Sequence, residues 1–333
     1  MRKYLFGLMV VSCAIYLAKK NYTEFIRDRD RVRKNFKTVE TKFGKVEYLD
    51  LGDKSRPVIL FSSGGGAGID SVYAFDWLLE NNYRVISINR PGYYNTSIGR
   101  DDSIRQHADS YHEVIKALDI EEVSVFGLSM GGLSALYYAE SYPVKSLVLW
   151  SAVTGPYQPN EESVESTLGK LIMTDKAKDI LSWVMLETAY YFPKLLMKQL
   201  LKAEAMMDGD EIKQMVDTEF KDKSASTQFK LFIESLTPMS ALYPGMMNEL
   251  KKSAKPDQID WCQIDCPVLA VHSTIDKDVG YSHLLRLKRH LPDSKIVTVQ
   301  AGGHFVWWGR DGKEVIDETG RFFKNTTAID GER

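Results

Sequence analysis

The chain has 333 residues, 44% hydrophobic and 26% charged, with 23 glycines and 11 prolines. These proportions exclude a disordered, collagen-like or coiled-coil chain and allow one large α/β domain or two ordinary ones. A formal charge of −2 lacks the basic excess of a nucleic-acid binder, so no nucleic-acid partner is expected, and Cys13, Cys262 and Cys266 are too few for a disulfide scaffold or a four-cysteine zinc site.

Residues 4–18, YLFGLMVVSCAIYLA, carry no charge and lie between Arg2-Lys3 and Lys19-Lys20. At ~1.5 Å per residue the run reaches about 22 Å, short of the ~30 Å hydrocarbon core unless the lysines snorkel. Val10-Val11-Ser12-Cys13 loosely fits a lipoprotein signal, but the apolar stretch continues to Ala18 and no small-residue cleavage site precedes Lys19. An uncleaved N-terminal membrane anchor is the expectation, ahead of a buried core helix. Residues 19–37 hold eight basic side chains against Glu24, Asp28 and Asp30. That surplus favours an anionic lipid surface, and the same stretch also reads as a solvated helix of alternating charge. The flank charges lean toward a cytoplasmic location for the remainder.

Beyond this segment strands and helices alternate. TVETKFGKVEYLDLG (38–52) reads as a hairpin around Phe43-Gly44. PVILFSS (57–63) is an apolar strand that ends in glycines, and AFDWLLENN (74–82) has helical spacing before the strand YRVISIN (83–89). Residues 102–118 form an amphipathic helix, VSVFG (123–127) a strand that turns sharply into the helix LSALYYAESY, and VKSLVLWSA (144–152) another strand. VLAVHS (268–273) and KIVTVQ (295–300) complete the set. Such alternation predicts an α/β fold with a mostly parallel sheet covered on both faces.

Residues 156–260 break the alternation with helical patterns only, as an inserted cap would. They hold nine of the twelve methionines, together with Trp183, Tyr190, Tyr191 and Phe192. The chain thus divides into an anchor and basic segment (1–35), a core in two parts (36–155 and 261–325), the cap (156–260) and a tail (326–333).

Gly127-Leu128-Ser129-Met130-Gly131 has the form G-x-S-x-G. By composition alone roughly one unrelated chain of this length in ten carries that pattern. Its position between a strand and a helix is the informative part, because a sharp turn there exposes the serine hydroxyl at the carboxyl edge of the sheet. An exposed serine needs a base, and the base an orienting carboxylate. VLAVHSTIDKD sets Asp276 three residues past a strand, with Asp278 as the other acid to consider, and AGGHFVW sets His304 after the last strand.

With GLSMGG, the SSGGGAG loop, NRPGYYNTS, CPVLAVHSTID and GGHF, the sequence resembles the α/β-hydrolase superfamily from about residue 38 to 324. The resemblance implies a Ser129–His304–Asp276 triad in the usual chain order and an oxyanion hole of two backbone N–H groups. One comes from Met130. The other comes from the loop after the third strand, where Ser63 stands in the place of a common histidine and Gly65 is the expected donor, with Gly64 or Gly66 as alternatives. It implies a serine hydrolase acting on a small-molecule ester or related acyl substrate, without metal or organic cofactor. Carbon–carbon or amide hydrolysis, acyl transfer, and a small-ligand receptor on the same fold remain open. An apolar acyl group is expected if the methionines and aromatics of the cap line the pocket rather than pack its helices. His272 is expected to have no catalytic role, His107, His112, His283 and His290 to be solvated or capping, and Cys262 and Cys266 to be buried.

Overall fold

The computed structural model describes residues 2–99, 102–158, 174–300 and 302–327; the side chains of residues 2–15, Cys13 among them, and of Arg31 lie outside that description. Met173, the stretch 159–173 of the cap and the tail beyond Thr327 lie outside it as well.

Strands β1 (Lys37–Thr41) and β2 (Gly44–Leu51) form the expected hairpin, with Gly44 at φ +103° in its turn. They are followed by β3 (Val58–Ser62), β4 (Arg84–Ile88), β5 (Ser124–Leu128), β6 (Leu147–Trp150), β7 (Val268–Ser273) and β8 (Lys295–Val299). The eight strands lie in the order β1-β2-β4-β3-β5-β6-β7-β8, antiparallel from β1 to β4 and parallel from β4 to β8. The inner strands are buried along nearly their whole length and mainly apolar because both faces are covered. Alternation splits them between two cores. Phe61, Phe126 and Val148 join the cluster under Phe75, Trp77 and Phe323, while Leu60, Val125 and Leu147 join the one under Tyr111, Leu136 and Leu284. Strand order reverses beside β3, and the carboxyl ends flanking such a reversal form the crevice where open α/β sheets bind ligands.

Helices α1 (Arg2–Arg33), α2 (Trp77–Glu80), α3 (Arg105–Ala117) and α4 (Gly131–Ser141) precede the cap. Between β6 and β7 stand α5 (Asp175–Tyr191), α6 (Pro193–Glu204), α7 (Gly209–Glu219), α8 (Lys223–Ser235) and α9 (Met239–Ser253). Thr174, Asp208 and Asp222 cap three of these helices, and Asp208 forms a capping box with Glu211. The cap rests on the core through Met197, Leu201, Phe229 and Phe232. Helices α10 (Ser282–His290) and α11 (Gly312–Thr327) complete the core.

The N-terminal segment differs from expectation. Among the described residues no helix is long and apolar enough to cross a membrane. The physical reason lies in the sequence of α1 itself: its uncharged run stops at Ala18, and a charged half follows. That charged half is not a free basic surface either. Phe25 and Arg29 are buried, Tyr22 meets Trp183 of α5 edge-on at 6.0 Å, and the Arg29 guanidinium pairs with Asp70, which is 4% exposed. The second half of the 1–35 segment is therefore part of the packed fold.

Arg29→Ala leaves the Asp70 carboxylate buried without its cation, and we expect a loss of about 3–5 kcal/mol. A chain shortened to start at residue 36 should be destabilised in the same way. Urea unfolding measures both, and an unchanged midpoint for Arg29→Ala would show that the pair contributes nothing.

Candidate active site

Ser129 sits between β5 and α4 with φ +53°, a costly conformation for a residue other than glycine. Close approach of three chain segments holds it there. A Cβ on Gly131 would lie 2.3 Å from the main-chain oxygens of Ser62 and Ser63, one on Gly132 2.4 Å from Ala152 Cβ, and one on Gly127 2.7 Å from Ala135 Cβ. Only glycine lets the turn press this closely against the loops after β3 and β6. The Ser129 N–H donates to the Trp150 carbonyl at 2.9 Å, and its own carbonyl accepts from Gly132 and Val153 at 2.9 and 3.0 Å. Half-buried, the serine lies at the edge of a cavity.

The loop after β3 is fixed from below. Fully buried Arg90 donates to the carbonyls of Ser63 and Gly64 and to Ser63 Oγ, and its remaining face pairs with buried Glu249 of α9. Tyr93 Oη donates to Glu249 Oε2 at 2.7 Å and accepts the Gly66 N–H at 3.0 Å. Gly66 is thereby engaged. Gly64 and Gly65 face the turn: Cβ atoms placed on them would lie 3.5 Å from Ser129 Cβ and 3.4 Å from Met130 Cβ. Sequence reasoning missed this brace. Arg90 stands out only as part of the NRPGYYNTS motif, and nothing marks Glu249, 159 positions away, as its partner.

Asp276 follows β7 and His304 follows β8. His304 Nδ1 lies 2.9 Å from Asp276 Oδ2. Asp276 Oδ1 accepts the N–H groups of Asp278 and Val279 at 3.0 and 2.9 Å, which fixes the carboxylate. Asp278 accepts from Tyr157 Oη at 2.5 Å, and its Oδ2 stands 3.8 Å from His304 Nε2. Ser151 Oγ donates to the His304 carbonyl at 2.8 Å. Among the described residues no hydrogen bond joins the Ser129 hydroxyl to His304, although both line one cavity; such bonds commonly tighten only when substrate is bound.

Burial pushes the Asp276 carboxyl up, but the charge of His304 and hydrogen bonds from His272 and His304 outweigh it and bring the group down to about 2. For His304 burial disfavours the charged ring, and the charge and hydrogen bond of Asp276, then Asp278 and Glu204, raise it to about 9. Glu204 is raised to about 7, first by burial and then by Asp278 and Asp276, against His304 and Lys277.

The cavity has a volume of about 240 Å³. Leu200, Phe232, Leu236, Met246, Phe305 and Trp307 supply its apolar wall. Of the described cap methionines only Met246 lines it; Met197 and Met215 are core, Met206 and Met247 are exposed, and Trp183, Tyr191 and Phe192 border a separate hollow. Packing accounts for Met197 and Met215, joined at the edge of the core by Met185 and Met207. A larger hollow of about 1310 Å³ lies at the opposite, amino ends of β3 and β4 beside α11, away from Ser129.

Other expectations are corrected too. His107 and His283 are buried rather than solvated; His107 Nδ1 meets Ser134 Oγ at 2.9 Å, and His283 Nδ1 accepts the Thr154 N–H. His112 stacks on Tyr142 and His290 on Trp261. His272 Nε2 lies 2.7 Å from the Val279 carbonyl, which only accepts, so this nitrogen carries the proton. Cys262 is exposed and Cys266 half-buried, because both lie where the chain re-enters the core from the cap. Among the described residues no cluster of three or more His, Cys, Asp or Glu is arranged to hold a metal ion.

A mostly parallel sheet with a serine turn, a paired acid and histidine and a cap over its carboxyl ends defines an enzyme of the hydrolase class. The chain belongs to the alpha/beta hydrolase fold family, whose model matches residues 57–311. It is similar to the uncharacterized hydrolase YcgS of Bacillus subtilis (strain 168), 26% identical over 288 residues that cover 85% of this chain and 96% of that one. A 2-hydroxy-6-oxononadienedioate/2-hydroxy-6-oxononatrienedioate hydrolase of Paraburkholderia phymatum is 28% identical over 277 residues, 79% of this chain and 86% of that one. Among solved structures, an alpha/beta hydrolase fold protein from Nakamurella multipartita superposes with a TM-score of 0.75 at 23% identity, over 86% of this chain and 98% of that one.

His304, raised from 6.5 to about 9, contributes stability that is fully present below 6.5 and lost as pH rises through 9. Asp276, lowered from 3.8 to about 2, contributes stability present above 3.8 and lost as pH falls through 2. Both describe one pair. The stability difference between wild type and His304→Ala should therefore be largest between about pH 4 and 6.5 and shrink toward pH 9. Urea midpoints across that range check it, and a flat difference from about pH 5 to 9.5 would contradict the pairing.

Proposed function

We propose that this enzyme is a serine hydrolase of small esters with a short to medium apolar acyl group, working through Ser129, His304 and Asp276. The Ser129 hydroxyl attacks the acyl carbonyl while His304 takes its proton on Nε2. Asp276 holds Nδ1–H in place and balances the imidazolium. The backbone N–H groups of Met130 and Gly65, with Gly64 beside it, receive the oxyanion; each such donor is worth about 3–4 kcal/mol in the transition state. The imidazolium returns its proton to the leaving alcohol. Water, deprotonated by His304, then attacks the acyl-enzyme, and release of the acid restores Ser129. The observation that carries this reading is the 2.9 Å His304–Asp276 bond, on a cavity wall shared with a serine held at positive φ.

A cavity of about 240 Å³ lies below the ~300–1,000 Å³ of drug-sized sites, which supports a small substrate. Hydrolysis of a dioate, after the name of the Paraburkholderia relative, is the second reading. A dicarboxylate asks for a cation in the site, and no lysine or arginine is among the described residues lining this cavity. The ester reading stands ahead of it on that ground.

Ser129→Ala should lower turnover by orders of magnitude with little change in stability, and should abolish labelling by a fluorophosphonate. Near-wild-type turnover in the purified variant would remove Ser129 from the mechanism. Asp276→Asn should cost up to about 10⁴-fold in kcat, because the amide favours the wrong imidazole tautomer, and Asp278→Asn far less. The reverse ranking would make Asp278 the orienting acid.

Because His304 acts as a base only when neutral, kcat/KM should rise with pH through an acid limb well above the ordinary 6.5. Across p-nitrophenyl esters, kcat/KM should climb from acetyl by up to about fourfold per methylene, ~0.8 kcal/mol each, until the cavity is full. A flat or falling series from acetyl to octanoyl would point to a small polar substrate.

A further inference from the structure

Glu204 ends α6 and enters the cavity from the cap side. Its carbonyl accepts the His304 N–H at 3.0 Å and the Lys277 N–H at 3.2 Å. The next residues continue the clamp: Ala205 bridges Asp276, and the Met206 N–H donates to the Ile275 carbonyl at 2.8 Å. Gly303, at φ +58°, has no room for a side chain, since its Cβ would lie 2.3 Å from Ala205 Cβ. The end of α6 is thus bonded through its main chain to the two loops that carry Asp276 and His304. These bonds tie the main chain at Glu204 to the site, and its side chain lines the cavity. Its Oε2 is buried and finds no hydrogen-bond partner among the described residues.

Asp278 reaches the same cavity from the core side, 3.8 Å from His304 Nε2. The charged groups acting on Glu204 are His304, Asp278, Asp276 and Lys277. Lys277 turns outward, with Nζ 3.4 Å from the Lys202 carbonyl, and is exposed. The rest of the described lining is apolar apart from Tyr157, Ser129 and the main chain of the glycine loop.

We infer that Glu204 and Asp278 are specificity-determining residues that set the charge preference of the acyl pocket, admitting neutral and cationic acyl groups and rejecting those that bear a carboxylate. This inference rests on the proposed hydrolase reading and deepens it. A substrate carboxylate in a cavity this small lies within a few ångströms of both side chains, and the described lining offers no lysine or arginine to receive it, the charge of His304 being already matched by Asp276. Like charges at such distances in a partly buried site cost a factor on the order of ten to a hundred in binding. A quaternary or primary ammonium on the acyl chain gains by the same interaction. Because Glu204 titrates near 7, the rejection should sharpen from about pH 6 to 8. The same negative charge also favours protonated His304, so its removal should move the acid limb of the rate profile to lower pH.

The test uses the full chain and three p-nitrophenyl esters: hexanoate, the adipate monoester and 4-(trimethylammonio)butanoate. In wild type at about pH 8, kcat/KM for the adipate monoester should be roughly one tenth of that for hexanoate or less, and the cationic ester should match or exceed hexanoate. Glu204→Gln, close in shape, should raise the adipate-to-hexanoate ratio several-fold and lower the pH of the acid limb. Asp278→Asn should raise the ratio independently, which keeps the test open if one variant folds poorly. Equal rates for adipate and hexanoate in wild type, or ratios unmoved in both variants, would overturn the inference while leaving the hydrolase reading intact. Absence of turnover on every ester would overturn that reading and this inference with it.

Discussion

Everything in the site depends on how closely the turn at Ser129 is packed. Gly127, Gly131 and Gly132 have no space for a Cβ, because the turn presses on the carbonyls of Ser62 and Ser63, on Ala135 and on Ala152. That crowding places the loop after β3 against the start of α4, so that Gly64 and Gly65 lie beside Ser129 and Met130. It also holds Ser129 at positive φ, a strain that the hydrogen bonds to Trp150, Gly132 and Val153 offset. A larger residue at any of the three glycines would separate segments whose backbone groups need to converge.

Around this turn the cap is structural as well as a cover. Glu249 of α9 completes the partners of Arg90, which grips the loop after β3 from beneath. Residues 204–206 at the end of α6 bond to the loops bearing Asp276 and His304. Two cap helices therefore help to hold both halves of the proposed catalytic machinery. Helix α1 adds a third tie, since Arg29 neutralises Asp70 in the turn that follows the glycine loop. Buried ion pairs of this kind stabilise little over an apolar replacement, but breaking one is costly, so they fix geometry more than they add stability.

The electrostatics of the site follow from the same placement. Three carboxylates, Asp276, Asp278 and Glu204, act on one imidazole. Asp276 is held by two backbone N–H groups and stays ionised, whereas Glu204 has no such donors among the described residues on its buried oxygen and is pushed up by burial. Similar side chains thus behave differently according to their hydrogen bonds and solvation.

The strands, the mostly parallel sheet, the helical stretch before β7 and the placement of Ser129, Asp276 and His304 just past strand ends were legible in the sequence. Those features are local: apolar runs of fixed length, a glycine-flanked serine between strand and helix, and polar residues just past strand ends. The sequence left the cap methionines open between pocket and packing, because helical spacing does not say whether a face meets a cavity, a neighbouring helix or solvent. It misjudged α1, where the uncharged run stands out but Phe25 and Arg29 do not, since their burial depends on Asp70 some forty positions on. Glu249 and Glu204 were unreadable for the same reason. Each gains its role from a partner distant in sequence, Arg90 for one and the loops of Asp276 and His304 for the other. Only the closed tertiary structure decides such pairings, because the free energy of a buried charge is set by the groups that surround it and not by its neighbours along the chain.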